Sequence, residues 1–289
     1  MLIIDRFDRK ISGLTSIQRW VDLRYPTNLA IAGLSLGIGA LAFVIQIQQD
    51  TDLLDAFSYS FNVAVTFFLS WALARELDPD RDYSAFLAAG LGLLGFFIYG
   101  PPDLLSLLLV LVSVRVINRT VGPPATVFDS LLLLGLGSFL TLGGDLASGL
   151  LAAGAFLLDG FLFPQNRRNL FFAGLMAIFV VVYWILEAFP VKLTAVNPNG
   201  YLILGLVTVM FVPVIYSYRR VRSVCDRSDV PLDPTRVRTG MVFALLSGWI
   251  AWILGEWQIL QPLWMAIAAV GFYYLLTFIL YRVRGVSVP

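Results

Sequence analysis

Three carboxylates at two-residue spacing, Glu76, Asp78 and Asp80, stand between Arg75 and Arg81 in the stretch "ARELDPDRD". Acids in such a run can hold Mg²⁺, and neighbouring guanidinium groups present forked donors to a phosphate. Asp78-Pro79-Asp80 also has the form of a turn opened by a capping carboxylate. A second string, "RVINRT", offers Arg115, Asn118 and Arg119, and two isolated acids, Asp129 in "TVFDSLLLLG" and Asp159 in "FLLDGFLFP", lie inside apolar runs. A lone carboxylate at the bilayer centre costs on the order of 2.5–3.5 kcal/mol, less nearer the interface. Each must therefore face protein or water, pair with arginine, or stay protonated, and Arg115 is the natural partner by depth. Arg115, Asn118, Arg119, Asp129 and Asp159 are thus the candidates for contact with a substrate, and Glu76, Asp78 and Asp80 for a metal. The plainer use of the same charges is to stop helices at the headgroup level, paired with one another.

The elements that must carry these residues follow from composition. Of 289 residues 58% are hydrophobic and 13% charged, about half the charge of a soluble domain. The expected fold is an all-α, polytopic transmembrane helix bundle. There is no histidine and a single cysteine, Cys225. The usual zinc, haem and di-iron ligand sets, histidine acid–base chemistry and an internal disulfide are thereby removed.

A spanning helix needs about 20 apolar residues. Ten runs qualify: 28–48, 58–75, 84–100, 103–118, 124–142, 145–163, 169–188, 200–217, 239–256 and 260–282. "GPPD" and "GEWQILQP" separate the two least distinct pairs, and their prolines favour true turns. With ten spans, every one of the 20 Lys and Arg except Lys192 falls on one face. Positive residues stay cytoplasmic, so both termini are expected inside, in a cytoplasmic (inner) or plasma membrane. Five plus five helices would also allow two successive halves of opposite orientation.

Ahead of the first run, Ile3, Phe7, Ile11, Leu14 and Val21 recur near helical spacing opposite Asp5, Arg6, Asp8 and Arg9. This pattern predicts an interfacial amphipathic helix on the inner leaflet, ended before Pro26. Residues 1–26 then form a cytoplasmic segment and 27–289 one membrane domain. No small-residue cleavage site follows the charged start, so no cleavable signal peptide is expected. The longest inner loop, 218–238, is too short to fold alone.

No predicted helix carries a charge near its middle, unlike proton-relay pumps and voltage sensors. Glycine is plentiful in "GLSLGIGA", "AAGLGLLG", "GLGSFLTLGG" and "GLLAAGAFLLDG", which allows close helix approach. In length, helix number and sidedness the chain resembles the drug/metabolite transporter superfamily, and "ILGEWQILQPLWMAIAAVG" is loosely similar to the ends of such chains. "ARELDPD" has no counterpart there. The acidic loop also resembles that of intramembrane prenyltransferases, whose spaced Asn/Asp pattern is absent here; no family is assigned.

Three functions compete. The first is a transporter or permease for a small organic solute, anions included. The second is an intramembrane enzyme or binding protein for a phosphorylated, polyprenyl-type lipid, the one case that would call for Mg²⁺. The third is a membrane assembly or scaffold subunit that docks a partner on the 218–238 loop. The expected partners are membrane lipids and a small-molecule or lipid substrate, not nucleic acid.

Overall fold

The computed structural model describes residues 14–18, 22, 24–186, 198–228, 230–254 and 258–284. Among these there are ten α-helices: α1 (Pro26–Gln48), α2 (Leu53–Leu77), α3 (Asp82–Tyr99), α4 (Leu104–Asn118), α5 (Val127–Leu142), α6 (Leu146–Phe161), α7 (Arg167–Leu186), α8 (Pro198–Ser217), α9 (Pro234–Ile253) and α10 (Gln261–Val283). Each apolar run read from the sequence is one helix. Both doubtful interruptions are true breaks: α3 stops at Gly100, whose φ of 91° suits a residue without Cβ, and α10 starts at Gln261-Pro262.

Six of the described helices, α1, α2, α3, α7, α8 (from Gly200) and α10, are long and apolar enough to cross a membrane. α4, α5 and α6 are apolar but have only 15, 16 and 16 residues. At 1.5 Å per residue such helices reach about 24 Å, short of a hydrocarbon core of about 30 Å. α9 opens with Arg236 and Arg238 in its first turns, which lowers its apolarity. The chain is therefore an all-helical protein whose apolar helices suit a membrane.

The expected surface helix before Pro26 lies largely outside the described residues. The piece that is described, Leu14–Gln18, is turn and coil rather than helix, and Thr15 and Ser16 are buried. Their polar groups are taken up by Asp129 of α5.

The helices sort into two compact units that interleave along the chain. Successive halves, α1–α5 and α6–α10, are not what the structure contains. One unit holds α4 from Leu108, α5, α6, α7 and α9, with the 218–233 loop. Here α6 packs on α5, α7 and α9, and α5 also meets α7. Small residues set the approach: a Cβ on Gly137 would stand 2.8 Å from Ala152 Cβ, and one on Gly149 would stand 2.4 Å from Thr141 Oγ1. Met176, fully buried, fills the space beside both.

The other unit holds α1, α2, α3, the first turn of α4, α8 and α10. In it α3 lies against α2 and α10 through Ala85, Ala88, Ala89, Gly92 and Gly95, and α8 lies against α10. Gly271 of α10 sits so close to α8 that an added Cβ would be 3.0 Å from Met210 backbone carbon. Close backbone approach through small residues is how helices gain contact where lipid supplies no hydrophobic drive.

Candidate functional site

Within the first unit, the C-terminal ends of α4 and α6 and the N-terminal ends of α5, α7 and α9 meet in a buried polar network. Asp159, the third-last residue of α6 and fully buried, is its centre. Arg119 donates to Asp159 Oδ1 from Nε at 3.0 Å and from Nη2 at 2.8 Å. Arg236 donates to the same oxygen from Nη1 at 2.9 Å. Asn166 and Asn169 donate to Oδ2 from their Nδ2 atoms at 3.1 and 2.8 Å. One carboxylate thus fastens four helix ends.

Arg236 uses its fork fully. Besides Asp159 it reaches the carbonyls of Ile117 (2.9 Å), Phe163 (3.2 Å), Leu162 (2.7 Å) and Pro164 (2.9 Å). A guanidinium has five N–H donors, and five bonds are made. The carbonyls of Ile117 and Leu162 belong to the ends of α4 and α6, where helices leave acceptors without partners and where the dipole favours a cation, and those of Phe163 and Pro164 to the turn that follows. Arg119 follows α4 directly with a φ of 53°, a left-handed conformation that glycine or asparagine ordinarily fills. Its side chain explains the exception, because the pair with Asp159 requires arginine at that position.

Asp129 has a different environment from the one expected. Pro123 and Pro124 delay the helix, so α5 starts at Val127 and Asp129 is its third residue rather than the sixth of a run beginning at 124. Thr126 and Asp129 form a capping box, with Thr126 N–H to Asp129 Oδ2 at 2.8 Å and Asp129 N–H to Thr126 Oγ1 at 3.2 Å. The remaining capacity of the carboxylate goes to the N-terminal segment. Thr15 Oγ1 donates to Oδ1, and Ser16 N–H and Oγ–H both donate to Oδ2 at 2.8 Å. Thr126 Oγ1 donates in turn to the Leu14 carbonyl at 2.7 Å, and Arg227 Nη1 to the Thr15 carbonyl at 3.1 Å.

The two acids are linked. Asn169 Oδ1 lies 2.8 Å from Ser130 Oγ, which lies 3.0 Å from the Thr126 carbonyl at the capping box. Arg168 donates to the carbonyl of Ala125, and Asn166 donates to the same oxygen at 3.2 Å. The 218–233 loop closes over the α4 exit. Asp226 N–H bonds the Thr120 carbonyl at 3.1 Å, Cys225 Sγ lies 3.9 Å from the Arg119 carbonyl, and Val224 bridges Pro231. That loop is a folded part of the unit, not a loose docking arm.

The structure therefore brings Arg119, Asp129 and Asp159 into one network, but as stitching between helix ends. The guanidinium that reaches Asp159 from α4 is that of Arg119, one turn beyond the expected Arg115, joined by Arg236. Asp129 is met by hydroxyl and backbone groups. Arg115 is half-buried and Asn118 buried on α4. Asn118 packs on α9 so tightly that a Cβ on Gly240 would fall 2.0 Å from its Oδ1.

Glu76, Asp78 and Asp80 belong to the other unit. Glu76 and Asp78 are fully buried and Asp80 half-buried. Asp78 accepts from Arg81 Nη1 at 3.3 Å and from Ser84 Oγ at 3.3 Å, and Arg75 pairs with Asp82. Arg81 also stacks its guanidinium 5.1 Å from the Tyr274 ring centre on α10. Among the described residues no group of three or more acids, cysteines or histidines could hold a metal ion. Glu76, Asp78 and Asp80 do not form such a group.

Arg236, Asn166, Asn169, Thr15 and Ser16 escaped the sequence reading. Only one signal for this site was available in advance: Thr126-Val-Phe-Asp129 before an apolar run is the spacing of a capping box. The long apolar helices are consistent with a membrane-embedded helical protein. No protein-family model, no curated protein and no solved structure matches the chain.

Proposed function

We propose that the chain is a multi-pass transporter or permease for a small organic solute, in a cytoplasmic or plasma membrane, with its ten helices in one membrane domain and both termini in the cytosol. The observation that carries this reading is the sorting of the helices into two separately packed units. Transporters work by moving largely rigid bodies, and each unit here has the internal packing of such a body. The sidedness rests on arginine: Arg119, Arg168, Arg227 and Arg236 are tied together at one end of the first unit, and such ends face the cytosol.

On this reading Arg119, Asp129 and Asp159 hold the frame, while Arg115 and Asn118 on α4 meet the solute near the inner gate. Binding of a lipid phosphate would draw on Arg119, and its engagement with Asp159 supports the transporter reading over that one.

Two experiments test the proposal. Purified protein in sealed vesicles is assayed for flux with a panel of labelled organic solutes; folded protein that moves none of them overturns the transporter reading. Reporter enzymes fused after Pro289 and within the 191–199 connection test orientation, and a cytosolic signal from the second would reverse it.

A further inference from the structure

The turn between α6 and α7, "FLFPQNRRN" (residues 161–169), shows a different chemistry on its outer side from that of its buried side. Phe161 and Phe163 are 62% and 82% exposed. Arg167 and Arg168, at the start of α7, are exposed too. Inward, the same turn supplies Asn166 and Asn169 to Asp159 and three backbone carbonyls to Arg236, so its backbone is held firmly. After Asp159 the sequence has no acid before Glu187, and Asp159 itself is buried against Arg119 and Arg236. The exposed side of the turn thus carries two aromatic rings and two guanidinium groups. That of Arg168 has one N–H on the Ala125 carbonyl and that of Arg167 its Nε on Gln165 Oε1 at 3.3 Å, each with further N–H donors to offer.

We infer that this turn is a binding site for the headgroup of an anionic phospholipid, with Arg167 and Arg168 on the phosphate and the rings of Phe161 and Phe163 among the upper acyl carbons. The charge of the patch selects an anion, since guanidinium forks match phosphate oxygens. The rings select a lipid over a free anion, because exposed phenyl groups beside cations gain from the boundary between headgroups and acyl chains. Water offers those rings no such gain. The rigid backing means that the lipid meets a preformed surface, at little ordering cost. The inference rests on the membrane reading but not on transport.

The test uses the purified full chain in bilayer discs of phosphatidylcholine mixed with phosphatidylglycerol, with retained lipid counted by native mass spectrometry. Phosphatidylglycerol is expected to be enriched on the protein. R167Q should lower the enrichment about fivefold, the weight of one basic residue near an anionic surface. R167K should keep most of it. F163S removes a ring but no charge and should lower retention of phosphatidylglycerol as well. R284Q, an equal loss of charge at the end of α10, should change nothing. Equal losses in R167Q and R284Q, unchanged retention in F163S, or displacement of the lipid by millimolar inorganic phosphate would each overturn the proposal. No flux is measured, so the result stands apart from the transporter reading.

Discussion

Replacement of Asp159 by asparagine probes the network at its centre. The wild-type carboxylate is fully buried, and its partners Arg119 and Arg236 are 7% and 2% exposed. D159N keeps the shape but leaves two guanidinium groups buried without a counter-charge, and turns an amide N–H₂ towards donors. Breaking a buried pair from one side costs about 3–5 kcal/mol, much of it the uncompensated charge that remains. R119Q should be milder, about 1–3 kcal/mol, because Asp159 and Arg236 are left as a matched pair. The double variant D159N/R119Q should recover part of the loss of D159N, since it leaves one unpaired guanidinium instead of two. Unfolding of the purified protein by denaturant, followed by tryptophan fluorescence, gives the ranking. A D159N protein within about 0.5 kcal/mol of wild type, the range of an ordinary surface change, would refute the reasoning. If such a protein also lost flux, Asp159 would belong to solute contact and not to the frame.

Four further outcomes are expected. D129A removes the acceptor of three bonds to residues 15 and 16; at about 1 kcal/mol each, exchange of the Ser16 amide should rise by at least tenfold, measured by hydrogen–deuterium exchange. R236K keeps the charge but replaces five fixed donors by three mobile ones, so it should lower stability by about 2–4 kcal/mol in the same denaturant assay; a neutral result would mean that the cation alone matters. G271A must push α10 away from Met210 backbone and should cost about 1–3 kcal/mol, whereas G174A, with nothing within 4 Å, should be neutral or stabilise by up to about 1 kcal/mol. G240A forces Asn118 to turn away, so flux should fall by more than the folded fraction does; parallel losses would remove Asn118 from the solute path.

Much of the helical framework was legible because an apolar run of 15–25 residues has few alternatives to a helix when lipid surrounds it. Prolines then mark the breaks: Pro101-Pro102 before α4, Pro123-Pro124 before α5, Pro262 in α10. What the pattern misplaced was depth. It counted apolar residues from Pro124, whereas the helix waits for Thr126, which can cap it, and this makes Asp129, still fully buried, the third residue of a capping box, where hydrogen bonds offset its burial. The unit boundaries were not legible at all. Gly92, Gly137, Gly149 and Gly271 look alike in sequence, and which helix each one admits is decided by packing partners far along the chain.

Arginine shows the same limit, and shows what lies behind it. The positive-inside rule treats every arginine at a helix end as one vote for sidedness, and for that purpose Arg167, Arg220 and Arg236 are equivalent. Their environments are not: Arg167 and Arg220 are exposed, while Arg236 is 2% exposed with all five donors engaged. A signal read during insertion needs only charge, and lysine would serve. A buried clasp across the ends of α4 and α6 needs a planar fork with several donors at fixed angles. This chain has 18 arginines to two lysines, a bias that insertion alone does not require. The network around Asp159 supplies a reason for it at Arg119 and Arg236, and the exposed pair on the α6–α7 turn supplies another if phosphate is what it meets. Arginines that the positive-inside rule counts alike thus differ once the chain has folded, some as fasteners within the protein and others as its outer surface.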